Sequence, residues 1–121
     1  MSGLVDQSAD ARSKTIGQNF RVRAWVNFDG TGTVAIRDSG NVSSITDINT
    51  GNYRVNFTTA MSDTTYVGVM YNSAFTGTSE VSFSNHFHGG MGSKTTTYIG
   101  VCSHDTNGFA DSEMFDVVII G

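Results

Sequence analysis

Leucine is almost missing from this chain of 121 residues: Leu4 is the only one. Without leucine, and with Val, Ile and Thr far outnumbering Ala, a helical bundle is excluded and a pleated sheet is favoured. Proline is absent and cysteine occurs once, at Cys102. A lone cysteine denies the fold an intrachain disulfide, so a small disulfide-stapled secreted module is ruled out and burial must hold the core. Basic residues are scarce as well, 7 Lys+Arg against 11 Asp+Glu for a net charge of −4, and a nucleic-acid backbone would be repelled. No run approaches the ~20 apolar residues of a membrane span. The first twenty residues hold no apolar stretch of signal-peptide length, from which synthesis in the cytoplasm is expected.

What is present is Gly, Ser, Thr and Asn around a moderate apolar content of 38%, with only 15% charged residues. That composition suits one folded domain and not a disordered polyelectrolyte. The polar stretch 1–17, with Leu4, Val5 and Ile16 as apolar anchors, reads as a docking arm or connector. From Arg21 alternation begins. Val22, Ala24, Val26 and Phe28 take one face and Arg21, Arg23, Trp25 and Asn27 the other, which predicts a strand. Asp29-Gly30-Thr31-Gly32 is a turn, and Val34 and Ile36 resume the alternation, completing a hairpin. After the turn Ser39-Gly40-Asn41, Val42 and Ile45 fall out of phase, which a bulge would repair. Tyr53, Val55 and Phe57 form the buried face of the cleanest strand in the chain.

Further strands are predicted at 66–71, 81–87, 97–103 and 115–120. The expected fold is therefore all-β, an antiparallel β-sandwich of about seven or eight short strands over residues 18–121, cored by Val26, Phe28, Val34, Ile36, Tyr53, Val55 and Phe57. The final strand is apolar on both faces: Phe115, Val117 and Ile119 on one, Val118 and Ile120 on the other. Such a strand is either sandwiched in the centre of the domain or presents one face to another subunit.

The stretches Trp25–Arg37 (WVNFDGTGTVAIR), Asn41–Asp47 (NVSSITD) and Tyr53–Met61 (YRVNFTTAM) resemble a module that recurs at the C-terminal ends of bacteriophage tail-fibre and virion proteins, many from marine and cyanobacterial phages. The resemblance runs over roughly 17–71 and departs from the family pattern at Ser62, where proline is frequent, and at Ile48-Asn49, where Asn-Gly is frequent. It implies a non-enzymatic virion protein. The expected role is a tail-fibre tip or receptor-binding module, forming a homotrimer and joined to other virion proteins through residues 1–17. A start at Met1 with a short leader keeps a capsid decoration or head-fibre protein as the alternative. The composition by itself also fits a free lectin-like carbohydrate-binding module.

For a surface glycan, the segments 72–77 and 88–94 read as exposed loops, with Asn72, Phe75 and Asn107 as candidate receptor-binding residues and Tyr71 beside them, since aromatic and amide side chains stack on and hydrogen-bond to sugars. In the alternation that runs from Val81 to His88, His86 and His88 share the polar face and could hold a transition metal, iron or nickel, on a threefold axis. Two imidazoles from each of three chains would give an octahedral set. The His-x-His pattern is similar to metal-binding motifs in the long tail fibres of T-even phages, and the bland reading is a pair of surface histidines.

Other motifs fail on spacing or facing. Gly89–Thr95 (GGMGSKT) has the wrong glycine spacing for a phosphate loop. Asp105, Asn107, Asp111 and Glu113 miss the register of a calcium loop. Ser103, His104 and Asp105 are strand neighbours whose side chains alternate in direction and cannot converge as a triad. Cys102 and His104 share a face, but nothing beside them would complete a nucleophilic site. No enzyme is expected.

Overall fold

The computed structural model describes residues 21–73, 88–105 and 108–121, and among these there is no helix. The described residues form nine strands in two antiparallel sheets: β1 (Val22–Asp29), β2 (Ala35–Gly40), β3 (Val42–Asn49), β4 (Asn52–Phe57), β5 (Val67–Ser73), β6 (His88–Lys94), β7 (Tyr98–Asp105), β8 (Gly108–Phe109) and β9 (Met114–Ile120). The first sheet has the order β2-β1-β9-β5. The second has the order β3-β4-β7-β6, with the two-residue β8 pairing the end of β7. The all-β sandwich expected from the alternation is thus the fold.

Inward-facing residues follow the predicted period of two. Ala24, Val26 and Phe28 of β1, Tyr53, Val55 and Phe57 of β4, Ile99 and Val101 of β7, and Phe115, Val117 and Ile119 of β9 are buried together. Phe28 and Phe115 stack with ring centroids 4.9 Å apart, and Tyr53 meets both edge-on at 5.4 and 5.8 Å. Those offset and T-shaped geometries suit the ring quadrupoles and tie the two sheets together. Val34 and Ile36 are only half-buried and pack at the rim of this cluster. Val22, assigned to the inner face, is exposed, because the register of β1 on β9 slips between Val22 and Ala24. The out-of-phase pair Val42 and Ile45 is accommodated as expected, by a register shift between Val42 and Ser44.

Polar side chains fix the corners where the chain changes sheets. Asn41, at φ 57 between β2 and β3, is the one positive-φ residue other than glycine among the described residues, a conformation asparagine tolerates. Its side chain donates to the carbonyls of Arg23 and Thr59 and accepts from the Thr59 amide, so the corner is held from both sides. At the opposite end, the buried Tyr53 hydroxyl lies 2.9 Å from the Gly30 carbonyl and 2.7 Å from Asp111 Oδ1, and its single proton serves one of these acceptors at a time. Asp111 Oδ1 also accepts from the Gly51 amide. Burial pushes the Tyr53 phenol far above the ordinary tyrosine range, and the neighbouring Asp111 carboxylate adds to the shift. Gly51 is demanded here: its φ is +75° and a Cβ would stand 2.5 Å from the Ser103 carbonyl oxygen.

Segment 88–94 is a strand and not the exposed loop its glycines suggest. Its ladder with β7 runs from His88 opposite His104 to Lys94 opposite Ile99, with a register shift between Met91 and Lys94. Pairing with a well-patterned neighbour outweighs the poor intrinsic strand preference of Gly89-Gly90-Met91-Gly92. The predicted arm 1–17 and the predicted strand 81–87 lie outside the described residues.

Candidate interaction surface

The two outer faces of the sandwich differ in chemistry, and the difference begins with the alternation of three strands. On β5 the small or buried positions Gly68, Met70 and Asn72 alternate with Val67, Val69 and Tyr71. The latter three face outward and stay 56%, 51% and 56% exposed. On β1 the outward side chain at the middle is Trp25, 39% exposed. Between these strands runs β9, whose outward residues are Asp116, Val118 and Ile120.

Register places these residues in rows across the sheet. Trp25 stands opposite Val118, and Val118 opposite Val69. The Trp25 indole is turned toward β2, where Gly40 is its cross-strand partner. A Cβ on Gly40 would sit 2.3 Å from the indole Nε1, so the missing side chain lets the ring lie down on the sheet. What remains between Trp25 and Tyr71 is an open trough of about 440 Å³ floored by Val69 and Val118. Including Val22, the exposed apolar side chains of this sheet present on the order of 500 Å² to solvent, at the upper end of what a monomer normally carries in one patch.

A polar rim closes one end of the patch. The Asn27 side-chain amide donates to Asp116, and Arg37 donates to Asn27 Oδ1 (3.3 Å) and to the Glu113 carbonyl (2.7 Å) while lying 3.7 Å from Asp29. At the other end Arg23 donates to the Gly121 carbonyl. An apolar centre with aromatic anchors and a hydrogen-bonded rim is the anatomy of a protein–protein contact. Among the described residues, the strand at its margin, β5, is an edge of its sheet. Its sequence Val67–Ser73 contains neither a charged residue nor a proline, the devices that ordinarily keep an edge from pairing with another chain.

The structure sorts the residues singled out from sequence. Of the two readings of the last strand, β9 is central in its sheet, yet the second sheet covers only its Phe115, Val117 and Ile119 face. Asn72 is not on a loop. It belongs to β5, is 9% exposed and points inward, and among the described residues its side-chain nitrogen has no hydrogen-bond partner, so the exposed loop position expected for it is not the one it holds. Phe75, Asn107 and His86 lie outside the described residues. His88 opens β6, and among the described residues no group of three or more His, Cys, Asp or Glu side chains is gathered as metal ligands. Ser103 is fully buried and donates to the Ala110 carbonyl. His104, on the opposite face, meets the Phe109 ring edge-on at 5.5 Å. The strand therefore separates the members of the paper triad, as alternation requires.

Sequence reasoning placed Trp25 on the outer face but did not assign a phase to β5. The Val67-x-Val69-x-Tyr71 alternation was the available signal, obscured because Met70 is also apolar. Comparison with protein-family models, with curated proteins and with solved structures finds no match for this chain.

Proposed function

We propose that this domain is a non-enzymatic virion structural module of the phage tail-fibre type, most simply a fibre tip serving attachment to the host surface, and that it assembles as a homotrimer. The observation that carries this reading is the outward apolar face built by Trp25, Val67, Val69, Tyr71 and Val118. The occupant of that face is a second copy of the chain. Roughly 500 Å² of apolar centre, extended by the Arg37–Asn27–Asp116 rim, approaches the ~800 Å² per partner of a stable interface. Closed symmetry then buries the same patch on every copy. The threefold order and the virion setting rest on the resemblance of 17–71 to phage fibre modules, and residues 1–17 are assigned to docking on other virion proteins.

Native mass spectrometry together with sedimentation at micromolar concentration tests the assembly: a trimer supports it and a stable monomer refutes it. Labelling of intact particles tests the setting. Signal at the fibre ends supports the attachment role, signal over the capsid supports a decoration protein instead, and no signal on particles refutes both.

A further inference from the structure

We propose that the trough on the outer face of the five-stranded sheet binds a carboxylate-bearing saccharide, with Arg54 engaging the carboxylate and the Asn49–Asn52 pair the ring hydroxyls. This deepens the attachment role proposed above by naming a ligand class, and it places the ligand on the sheet opposite the assembly face.

The trough holds about 390 Å³. Ile48, Asn49, Asn52 and Arg54 of β3 and β4 form one wall, and Gly92 and Gly100 of β6 and β7 lie along the floor. Among the described residues that line the trough, Arg54 is the charged one. Its guanidinium carbon is 4.6 Å from the centroid of the Tyr98 ring, within the range of a cation–π contact. Among the described residues no carboxylate pairs with it, and the ion pair found there is Arg37 with Asp29. A guanidinium without a carboxylate partner is suited to bidentate binding of one.

Beside it, Asn52 Nδ2 donates to Asn49 Oδ1 at 2.7 Å and lies 3.4 Å from the Thr50 carbonyl. That clasp fixes both amides while using one donor group and one acceptor. The Asn49 NH₂ and the Asn52 carbonyl oxygen remain, and a hydroxyl, which both donates and accepts, satisfies such a pair. Arg54 and Asn52 are two apart on one strand face, ~7 Å along it, a spacing that a hexuronate covers from its carboxylate to its far hydroxyls.

The floor supplies the third observation. Gly90 and Gly92 both face outward from the interior of β6, and neither has a positive φ. A Cβ at either position would meet its nearest neighbour at 3.5 or 3.6 Å, an ordinary contact. Neither glycine is imposed by φ or by a clash, unlike Gly100, whose Cβ would stand 3.1 Å from the Ser93 amide; Gly92 also lies within the register shift between Met91 and Lys94, so Gly90 is the one that a bulge does not explain. Glycine within a strand carries an entropic cost and commonly marks a place where a ligand approaches the sheet closely.

The test is titration of the full chain with a galacturonate trisaccharide, with maltotriose and acetate as controls, followed by backbone amide shifts and by calorimetry. The expected result is saturable binding of the acidic trisaccharide, at least tenfold tighter than either control, with shifts centred on Asn52, Arg54, Gly92 and Gly100. Arg54→Gln and Gly92→Trp should each weaken it at least tenfold, and Arg54→Lys should restore only part of the loss. Equal binding of maltotriose, equal binding of acetate, no binding, or shifts located elsewhere would each overturn the proposal. Oligomeric state is measured on the same samples, so a trimer that ignores the acidic trisaccharide refutes the trough and leaves the assembly reading standing. A monomer that binds it does the reverse.

Discussion

Replacing Tyr53 by phenylalanine removes one oxygen from the place where the two sheets are joined, and the consequences differ with pH in a way that isolates that oxygen. At neutral pH the variant keeps the ring contacts with Phe28 and Phe115 but leaves the Gly30 carbonyl and Asp111 without the hydroxyl proton. Asp111 retains the Gly51 amide, so the loss is that of one buried hydrogen bond, about 1–2 kcal/mol. For a domain of this size that lowers Tm by roughly 5–15 °C.

In alkali the native protein loses an advantage the variant never had. The Tyr53 phenol is raised well above the ordinary value of 10.0 in the folded state, so above pH 10 the unfolded chain releases this proton while the folded chain keeps it. Stability that is complete below pH 10 therefore declines as pH rises, by about 1.4 kcal/mol at pH 11 for a fully retained proton. Tyr66, also raised by burial, titrates in both proteins and cancels. The cost of Tyr53→Phe should accordingly shrink from 1–2 kcal/mol at pH 7 toward zero at pH 11 in paired urea unfolding curves. A cost that is constant with pH, or below ~0.5 kcal/mol at pH 7, would refute the reasoning.

Gly51→Ala should destabilise the fold by at least about 2 kcal/mol, measured by urea unfolding, because it combines a left-handed backbone with a clash against the Ser103 carbonyl. Asp29 is held below the ordinary carboxylate value of 3.8 chiefly by the Thr31 hydroxyl and amide. Its contribution is present above that value and lost as pH falls through the depressed one, so Asp29→Asn should flatten the acid limb of the stability curve, as followed by Tm between pH 5 and 2. Gly40→Val should displace the indole of Trp25, the only tryptophan in the chain. A changed emission maximum and a lower assembled fraction are expected, and an unchanged spectrum would place the indole elsewhere.

The inner face of the sandwich was legible because burial imposes a period of two. Tyr53-x-Val55-x-Phe57 and Val26-x-Phe28 could be assigned from alternation alone, and the slip at Val42 and Ile45 announced its own bulge. The outer face was legible only in part, at Trp25, which breaks a polar pattern, and at Val118 and Ile120, which make the last strand apolar on both sides. β5 stayed ambiguous because Gly68 and Met70 carry no polar signal to set against Val67, Val69 and Tyr71. β6 was misread as a loop because its pairing is decided by β7 and not by its own residues. The Arg54–Tyr98 stack was beyond the sequence for a related reason, since it depends on the register of β4 against β7, which is settled only when the sheet closes.

Sedimentation equilibrium of the native chain and of Val69→Asp, with Trp25 emission recorded on the same samples, decides whether the outer apolar face is the assembly surface. Val69 is outward and half-exposed, so the aspartate leaves the core untouched and places three like charges at a threefold contact. A native trimer with blue-shifted Trp25 emission and a folded Val69→Asp monomer with red-shifted emission are expected. A native protein that is already monomeric at micromolar concentration, or a Val69→Asp trimer as tight as the native one, would contradict that assignment.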